Sequence, residues 1–447
     1  MLVLEKLKVE GESVPIGTGP AGPDFVEGLG SLFAGRVKGM RGAAKRDLSA
    51  ARSRPDVISL AGGHPDTSIF EEETLERAAF AFARDGATAL QYGPSGGLPA
   101  TREVVVEVMR AERMPTGCEN VLVTNGAQQG LELMGKVFLE EGDAVLTEAP
   151  TYFGALNAFA AYRPQILPIP MDGRGMRVDA AREAVERARE AGMRVKFVYT
   201  IPNFQNPSGV TMAADRRREL LELAREHDLL ILEDNPYGML RFEGEAPPNL
   251  MALEGGRPER VIYLGTFSKI FAPGVRLGWM HAHPTILEKA RQAKKGADLG
   301  PSNLSQVITV AYFRSGEWLG YLDRLKVSYR QRRDAMLDAL SEFMPGDVRW
   351  SNPEGGFFVW LTLPEGLDAT ELVPEALERN VVYVPGADFY PEGSVRNGLR
   401  LSYSFAGPAQ VRRGVQLLAG VIREAEERAD ARAANPLRVA VSGVGTE

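Results

Sequence analysis

Short, nearly continuous apolar runs alternate with longer stretches of helical period along most of this chain, and that alternation restricts the fold more than any other feature. VLVT (121–124), AVLT (144–147), FVYT (197–200), LLIL (229–232) and VIYLG (261–265) are too brief for helices. Their apolar, largely β-branched or aromatic content predicts strands buried on both faces. VISL (57–60) precedes this series and LGWM (277–280) closes it. Strands alternating with helices give an α/β fold, a mostly parallel sheet covered on both sides, here expected with seven strands. Ligands of such sheets sit just beyond the carboxyl ends of the strands. Those ends carry NGAQQG (125–130), EAPTY (148–152), IPNFQNPSG (201–209), EDNPYG (233–238) and TFSKIFAPGVRLGW (266–279).

The rest of the chain sorts around that sheet. Residues 1–56 read as an arm followed by a helical stretch over 25–54, and 57–310 as the large domain. Helices 304–314 and 319–342 form a connection over 311–345, leading to a smaller α+β domain over 346–432 and a polar tail over 433–447. The smaller domain is expected to hold strands FFVWL (357–361) and LRLSY (399–403), with helices over 369–379 and 408–428. A chain of 447 residues, 44% hydrophobic, can bury a large core. The net charge of -7 argues against a nucleic-acid partner. Cys118 is the only cysteine, which excludes a disulfide framework and suggests a reducing cytoplasm. The four histidines show no metal-binding spacing, and His281 and His283 read as a strand end. No apolar run reaches the roughly 18 residues a membrane span requires, and no signal-peptide pattern opens the chain.

Lys269 follows its strand directly, between Thr266 and Ser268 on one side and Arg276 on the other. Alone, such a lysine is as readily a solvated loop residue. Beside these neighbours it can form an imine with a carbonyl, while hydroxyls and a guanidinium hold a phosphate. Pyridoxal phosphate carries both groups. It also calls for a carboxylate at its ring nitrogen, for which Asp234 ends a buried strand. Asn206 and Tyr237 can donate to the ring hydroxyl, and Tyr152 can offer an aromatic face. Gly126, Ala127 and Gln128 open a helix whose free amides suit an anion. Arg400, on an otherwise apolar strand, either pairs with an internal acid or grips a substrate carboxylate.

Together, TFSKIFAPGVRLGW (266–279), PNFQNPSG (202–209), EDNPYG (233–238) and GLRLSYSF (398–405) resemble the aspartate aminotransferase superfamily, fold type I, class I/II, in family order over 57–421. AGGHPD (61–66), LQYGPSGG (90–97) and TNGAQQGLEL (124–133) are most similar to its aminoadipate and kynurenine-type branch. The resemblance implies a pyridoxal phosphate enzyme that moves an amino group from an amino acid to a 2-oxo acid by ping-pong transamination. It implies that Lys269 is the imine-forming lysine and proton shuttle. Asp234 then partners the ring nitrogen, Asn206 and Tyr237 the ring oxygen, and Tyr152 the ring face. Gly126, Ala127, Gln128, Thr266, Ser268 and Arg276 fall to the phosphate, joined by Tyr92 from a neighbouring subunit of a homodimer. Arg400 and Asn206 fall to the α-carboxylate, the Gly63 backbone to the substrate site, and Arg46 to a distal carboxylate. An arm longer than the family requires is a departure.

Three other readings share some of these features. Lyases and decarboxylases of the same fold need the same lysine and aspartate. A transcription regulator with an aminotransferase-like domain needs a DNA-binding module ahead of position 57, where no winged-helix pattern is evident. A carrier without catalysis would not need the full cofactor set.

Overall fold

The computed structural model describes residues 29, 31–39, 54–66, 72–255 and 257–434. In chain order the strands are β1 (Ile58–Ser59), β2 (Val121–Thr124), β3 (Ala144–Ala149), β4 (Gln165–Asp172), β5 (Gly175–Met176), β6 (Val195–Thr200) and β7 (Leu230–Asp234). They continue with β8 (Val261–Thr266), β9 (Gly278–His281), β10 (Arg349–Trp350), β11 (Phe358–Thr362), β12 (Val381–Val382), β13 (Val384–Pro385) and β14 (Gly398–Ser402). The large sheet has the order β2-β9-β8-β7-β6-β3-β4-β5. Pairing is parallel from β8 through β7, β6 and β3 to β4, whereas β9 runs antiparallel to both β2 and β8. This is the expected α/β class, with eight strands instead of seven.

The added pair is β4 and β5. Gln165–Asp172 mixes exposed and partly buried positions and contains Pro168 and Pro170. Proline removes a ladder donor and demotes a run as a strand, so this edge of the sheet leaves no apolar signature. VISL does not join the large sheet either: β1 pairs in parallel with β12. By contrast β2, β7 and β8 are buried almost throughout, and apolar cores flank the sheet on both faces.

Helix Trp318–Phe343 leads from this body to a second core around the antiparallel sheet β10-β11-β14-β13. Arg400 occupies a central strand there, opposite Trp360 on one side and Val384 on the other. Helix Pro408–Ala434 covers this sheet and packs on Trp318–Phe343. No helix among the described residues is long and apolar enough to cross a membrane.

Candidate active site

One cavity of about 360 Å³ lies at the carboxyl ends of the parallel strands. Its lining brings together Lys269, Asp234, Tyr237, Asn206, Tyr152, Thr266, Ser268, Arg276 and Arg400, with Gly63, Gly126, Ala127 and Gln128. Thirteen of the fifteen residues singled out from the sequence therefore share one space. The other two do not join it. Arg46 lies outside the described residues. Tyr92 is 85% exposed and lines no part of the cavity of its own chain.

Asp234 ends the buried strand β7, and its Oδ2 accepts a hydrogen bond from Tyr199 Oη at 3.0 Å. Its Oδ1 is buried and has no hydrogen-bond partner. Burial lifts the carboxyl to about 7, against the pull of the Tyr199 bond. Such an oxygen is costly unless a cationic or N–H donor meets it. Tyr199 carried no sequence signal as a partner, because inside FVYT it reads only as a strand residue.

Lys269 Nζ donates to Gly63 O at 2.8 Å. Burial above all, then the charges of Arg276 and Arg400, bring its pKa down to about 8. That favours the neutral, nucleophilic amine. Gly63 reaches this position because it carries no side chain: a Cβ there would stand 2.7 Å from Phe358 Cζ.

Around Arg276 the donors hold one another in place. Thr266 Oγ1 donates to Ser268 Oγ at 3.0 Å and accepts from Ser268 N at 3.1 Å. Helix Gly126–Phe138 starts directly after β2 and turns its first amides to the same region. Gly126 takes φ +72°, and a Cβ on it would lie 3.0 Å from Arg276 Nη2, so the helix start and the guanidinium sit side by side. Arg276 itself is exposed.

Arg400 is buried, 4% exposed. Nη1 donates to Asn206 Oδ1 at 2.7 Å and Nη2 to Ala61 O at 2.6 Å, while Nε has no partner. Its guanidinium carbon lies 4.1 Å from the Phe358 ring centroid and 5.0 Å from that of Phe389. Burial brings its pKa down to about 10, still well above neutrality. Among the described residues no carboxylate forms an ion pair with Arg400, although the charge of Asp388 favours its protonated form.

Tyr152 follows Pro150 and Thr151 into the cavity, with Oη donating to Gln128 Oε1 at 3.3 Å. Phe153, His64, Pro65 and Phe358 also line the cavity; the sequence marked AGGHPD and FFVWL only as a turn and a strand, and gave none of these four a place at the site.

This donor set fits pyridoxal phosphate. The unpartnered Asp234 Oδ1 can meet a protonated ring nitrogen, and the amides and hydroxyls beside Arg276 can cradle a phosphate. Lys269 can meet an aldehyde carbon. Asn206 spends Oδ1 on Arg400, so its Nδ2 is the end left to meet a ring oxygen.

Comparison with known proteins points the same way. The family model for aminotransferase class I and II matches residues 55–418. The chain is 43% identical to aromatic-amino-acid aminotransferase 1 of Thermococcus litoralis over 394 residues, covering 88% of this chain and 94% of that one. It is 40% identical to 2-aminoadipate transaminase of Thermus thermophilus over 402 residues, 89% of this chain and 96% of the other. Among solved structures it is similar to the kynurenine aminotransferase of Pyrococcus horikoshii in complex with PMP, at 41% identity and a TM-score of 0.85. That match covers 90% of this chain and 99% of that one.

Proposed function

The chain belongs to the class I and II aminotransferases, pyridoxal phosphate enzymes that move the amino group of an amino acid to a 2-oxo acid, and from that premise we propose that Lys269, Asp234 and Arg400 divide the chemistry between them. The observation that carries this reading is that one cavity holds a lysine with depressed pKa, a buried carboxylate with an unpartnered oxygen and a buried arginine without an acid.

When bound, the cofactor supplies an aldehyde that condenses with amines and a protonated ring that accepts the electron pair released at Cα. Asp234, ionised once a cation stands against Oδ1, keeps that ring nitrogen protonated, and Tyr199 holds the carboxylate in place. Tyr237 is raised far above its ordinary pKa by burial, so it remains protonated and serves as a donor to the ring oxygen. Arg400 takes the substrate's α-carboxylate as a fork, its orientation fixed by Asn206 and Ala61. Lys269 Nζ, as a neutral amine, would take the Cα proton of the bound amino acid and hold it for return. The second half-reaction runs the same steps backwards on an acceptor, for which 2-oxoglutarate and pyruvate are the first choices.

Tyr92 enters this reading through a two-fold homodimer. It stands exposed beside Leu90, with Leu299 and Leu304 also presented to solvent, and a second copy would carry it towards the partner's cavity. The single cysteine fits a reducing cytoplasm.

One experiment tests both parts. Lys269→Ala is expected to lose borohydride trapping of the cofactor and more than about a thousandfold of turnover. A Tyr92→Ala variant, weakened at the phosphate, is mixed with it after dissociation. Hybrid dimers should regain activity in one intact site. An active alanine variant at 269 would sink the chemical assignment; no recovery in verified hybrids would sink the shared site.

A further inference from the structure

Glu148 has no place in the chemistry above, yet it is built into the molecule as tightly as any residue that has one. It lies near the end of β3, fully buried, two residues before Pro150 and four before Tyr152. Its carboxylate takes three hydrogen bonds, from the last residue of β6 and the segment that follows it. Thr200 Oγ1 donates to Oε1 at 2.6 Å, Ile201 N to Oε2 at 3.1 Å, and Gln205 Nε2 to Oε2 at 3.0 Å.

Gln205 passes this connection on in both directions. Its Nε2 also donates to Pro150 O at 2.7 Å, and its Oε1 accepts from Ser208 N at 2.8 Å. The next residue is Asn206, whose Oδ1 takes the bond from Arg400 at 2.7 Å. A single buried carboxylate thus binds the loop that presents Tyr152 to the loop that presents Asn206, and through Asn206 it reaches the guanidinium of Arg400.

A carboxylate is a costly way to satisfy three donors at this depth, since none of them carries a charge to offset its burial. Burial lifts it to about 7, with the nearby charge of Asp234 pushing in the same direction. A neutral amide would have been cheaper if capping the loop were the whole task. An amide there could keep all three contacts, its NH2 donating to the Thr200 hydroxyl and its oxygen accepting from Ile201 N and Gln205 Nε2, so only an apolar side chain breaks the link.

We propose that Glu148 is a positioning residue, which through Gln205 fixes Asn206 and hence the angle at which Arg400 receives the substrate carboxylate. The proposal rests on the assignment of Arg400 to that carboxylate. It touches neither substrate nor cofactor, so its effect is carried entirely by geometry.

The test uses the holoenzyme and two variants: Glu148→Leu, which removes the acceptor, and Gln205→Leu, which removes the link to Asn206. Val185→Ala, in the core and away from the cavity, supplies a general loss of stability for comparison. The readouts are the KM and kcat for an amino-acid donor, and the equilibrium binding of 3-phenylpropionate, a carboxylate without an amino group, followed by the visible band of the bound cofactor. Glu148→Leu is expected to keep the yellow band, with KM and the 3-phenylpropionate Kd raised about tenfold and kcat altered less, since misplacement from outside the site weakens productive binding. Gln205→Leu should do the same, and it stands alone should Glu148→Leu fail to fold. Equal melting-point losses in Glu148→Leu and Val185→Ala with an unchanged Kd would overturn the proposal, as would loss of the yellow band with an unchanged Kd after cofactor is restored. If Arg400→Gln binds 3-phenylpropionate as the parent does, the fault lies instead with the assignment of Arg400.

Discussion

Arg276 and Arg400 line the same cavity and both lower the pKa of Lys269, yet the chain has embedded them very differently. Arg276 is exposed, takes a left-handed backbone of φ 51°, and its one side-chain bond is to Pro273 O at 3.4 Å. The donors beside it that would cradle a phosphate are other groups: helix amides after Gly126 and the mutually bonded Thr266 and Ser268. Arg400 is buried, bonded to two neutral oxygens and placed against two phenyl rings. A resident phosphate can be held by many weak donors with an exposed cation as an addition. On the proposed assignment, a substrate carboxylate that arrives and leaves each turnover would be met by one desolvated cation whose own cost of burial is relieved on binding. The difference teaches that the two arginines should fail in different ways when removed.

The largest expected effect is at Arg400. Truncating a buried cation that pairs with a ligand costs about 2–5 kcal/mol, so Arg400→Gln should lower kcat/KM for amino-acid donors by roughly a hundredfold or more, with the cofactor still bound. Arg400→Lys should recover little, because a point charge cannot reproduce the fork. Stopped-flow half-reactions with a donor series would measure this. Cofactor loss in place of a substrate defect would erase the distinction between the two arginines.

Arg276→Ala should give a smaller and different change. An exposed charge is screened and contributes on the order of 1 kcal/mol, so the cofactor Kd should rise about fivefold to tenfold, while kcat/KM at saturating cofactor stays near the parent value. Dialysis followed by cofactor titration reads it. A collapse of kcat/KM with cofactor saturated would show that the exposed arginine also meets the substrate.

The same contrast explains what could be read from the sequence. The cradle beside Arg276 is local: Thr266, Ser268 and Arg276 lie within eleven residues of one another, and NGAQQG opens a helix right after a strand. Lys269 and Asp234 are marked by the apolar strands before them. The setting of Arg400 is not local. Phe358, Phe389, Asn206 and Ala61 come from four separate segments, and nothing in a buried phenylalanine announces a guanidinium against it. Tyr199 under Asp234 was hidden for the same reason, since it sits in a strand whose pattern packing explains. Glu148 stood in view in EAPTY, but its partners Thr200, Ile201 and Gln205 come from another segment. The proline-bearing β4 was hidden for the opposite reason, as its pattern argued against a strand.

The smallest effect sharpens the comparison at Lys269 itself. Its pKa is held near 8, against an ordinary 10.5, mainly by burial, with Arg276 the larger of the two charge contributions and Arg400 the smaller. A lowered pKa means that the neutral amine is present from about pH 8 upward. Modification of Lys269 in the cofactor-free enzyme by a small amine reagent, followed by peptide mass, should therefore rise with pH through a midpoint near 8. Removing a neighbouring cation relieves repulsion of the protonated form and moves the midpoint up. Arg276→Ala should move it further than Arg400→Gln, and neither should restore 10.5, because burial remains. The exposed arginine then acts more on the nucleophile than the buried one does, and the buried one acts chiefly on the substrate. A larger shift from Arg400→Gln would mean that solvent screens Arg276 more completely than its position beside Gly126 implies, and the two arginines would no longer differ in the way their burial suggests.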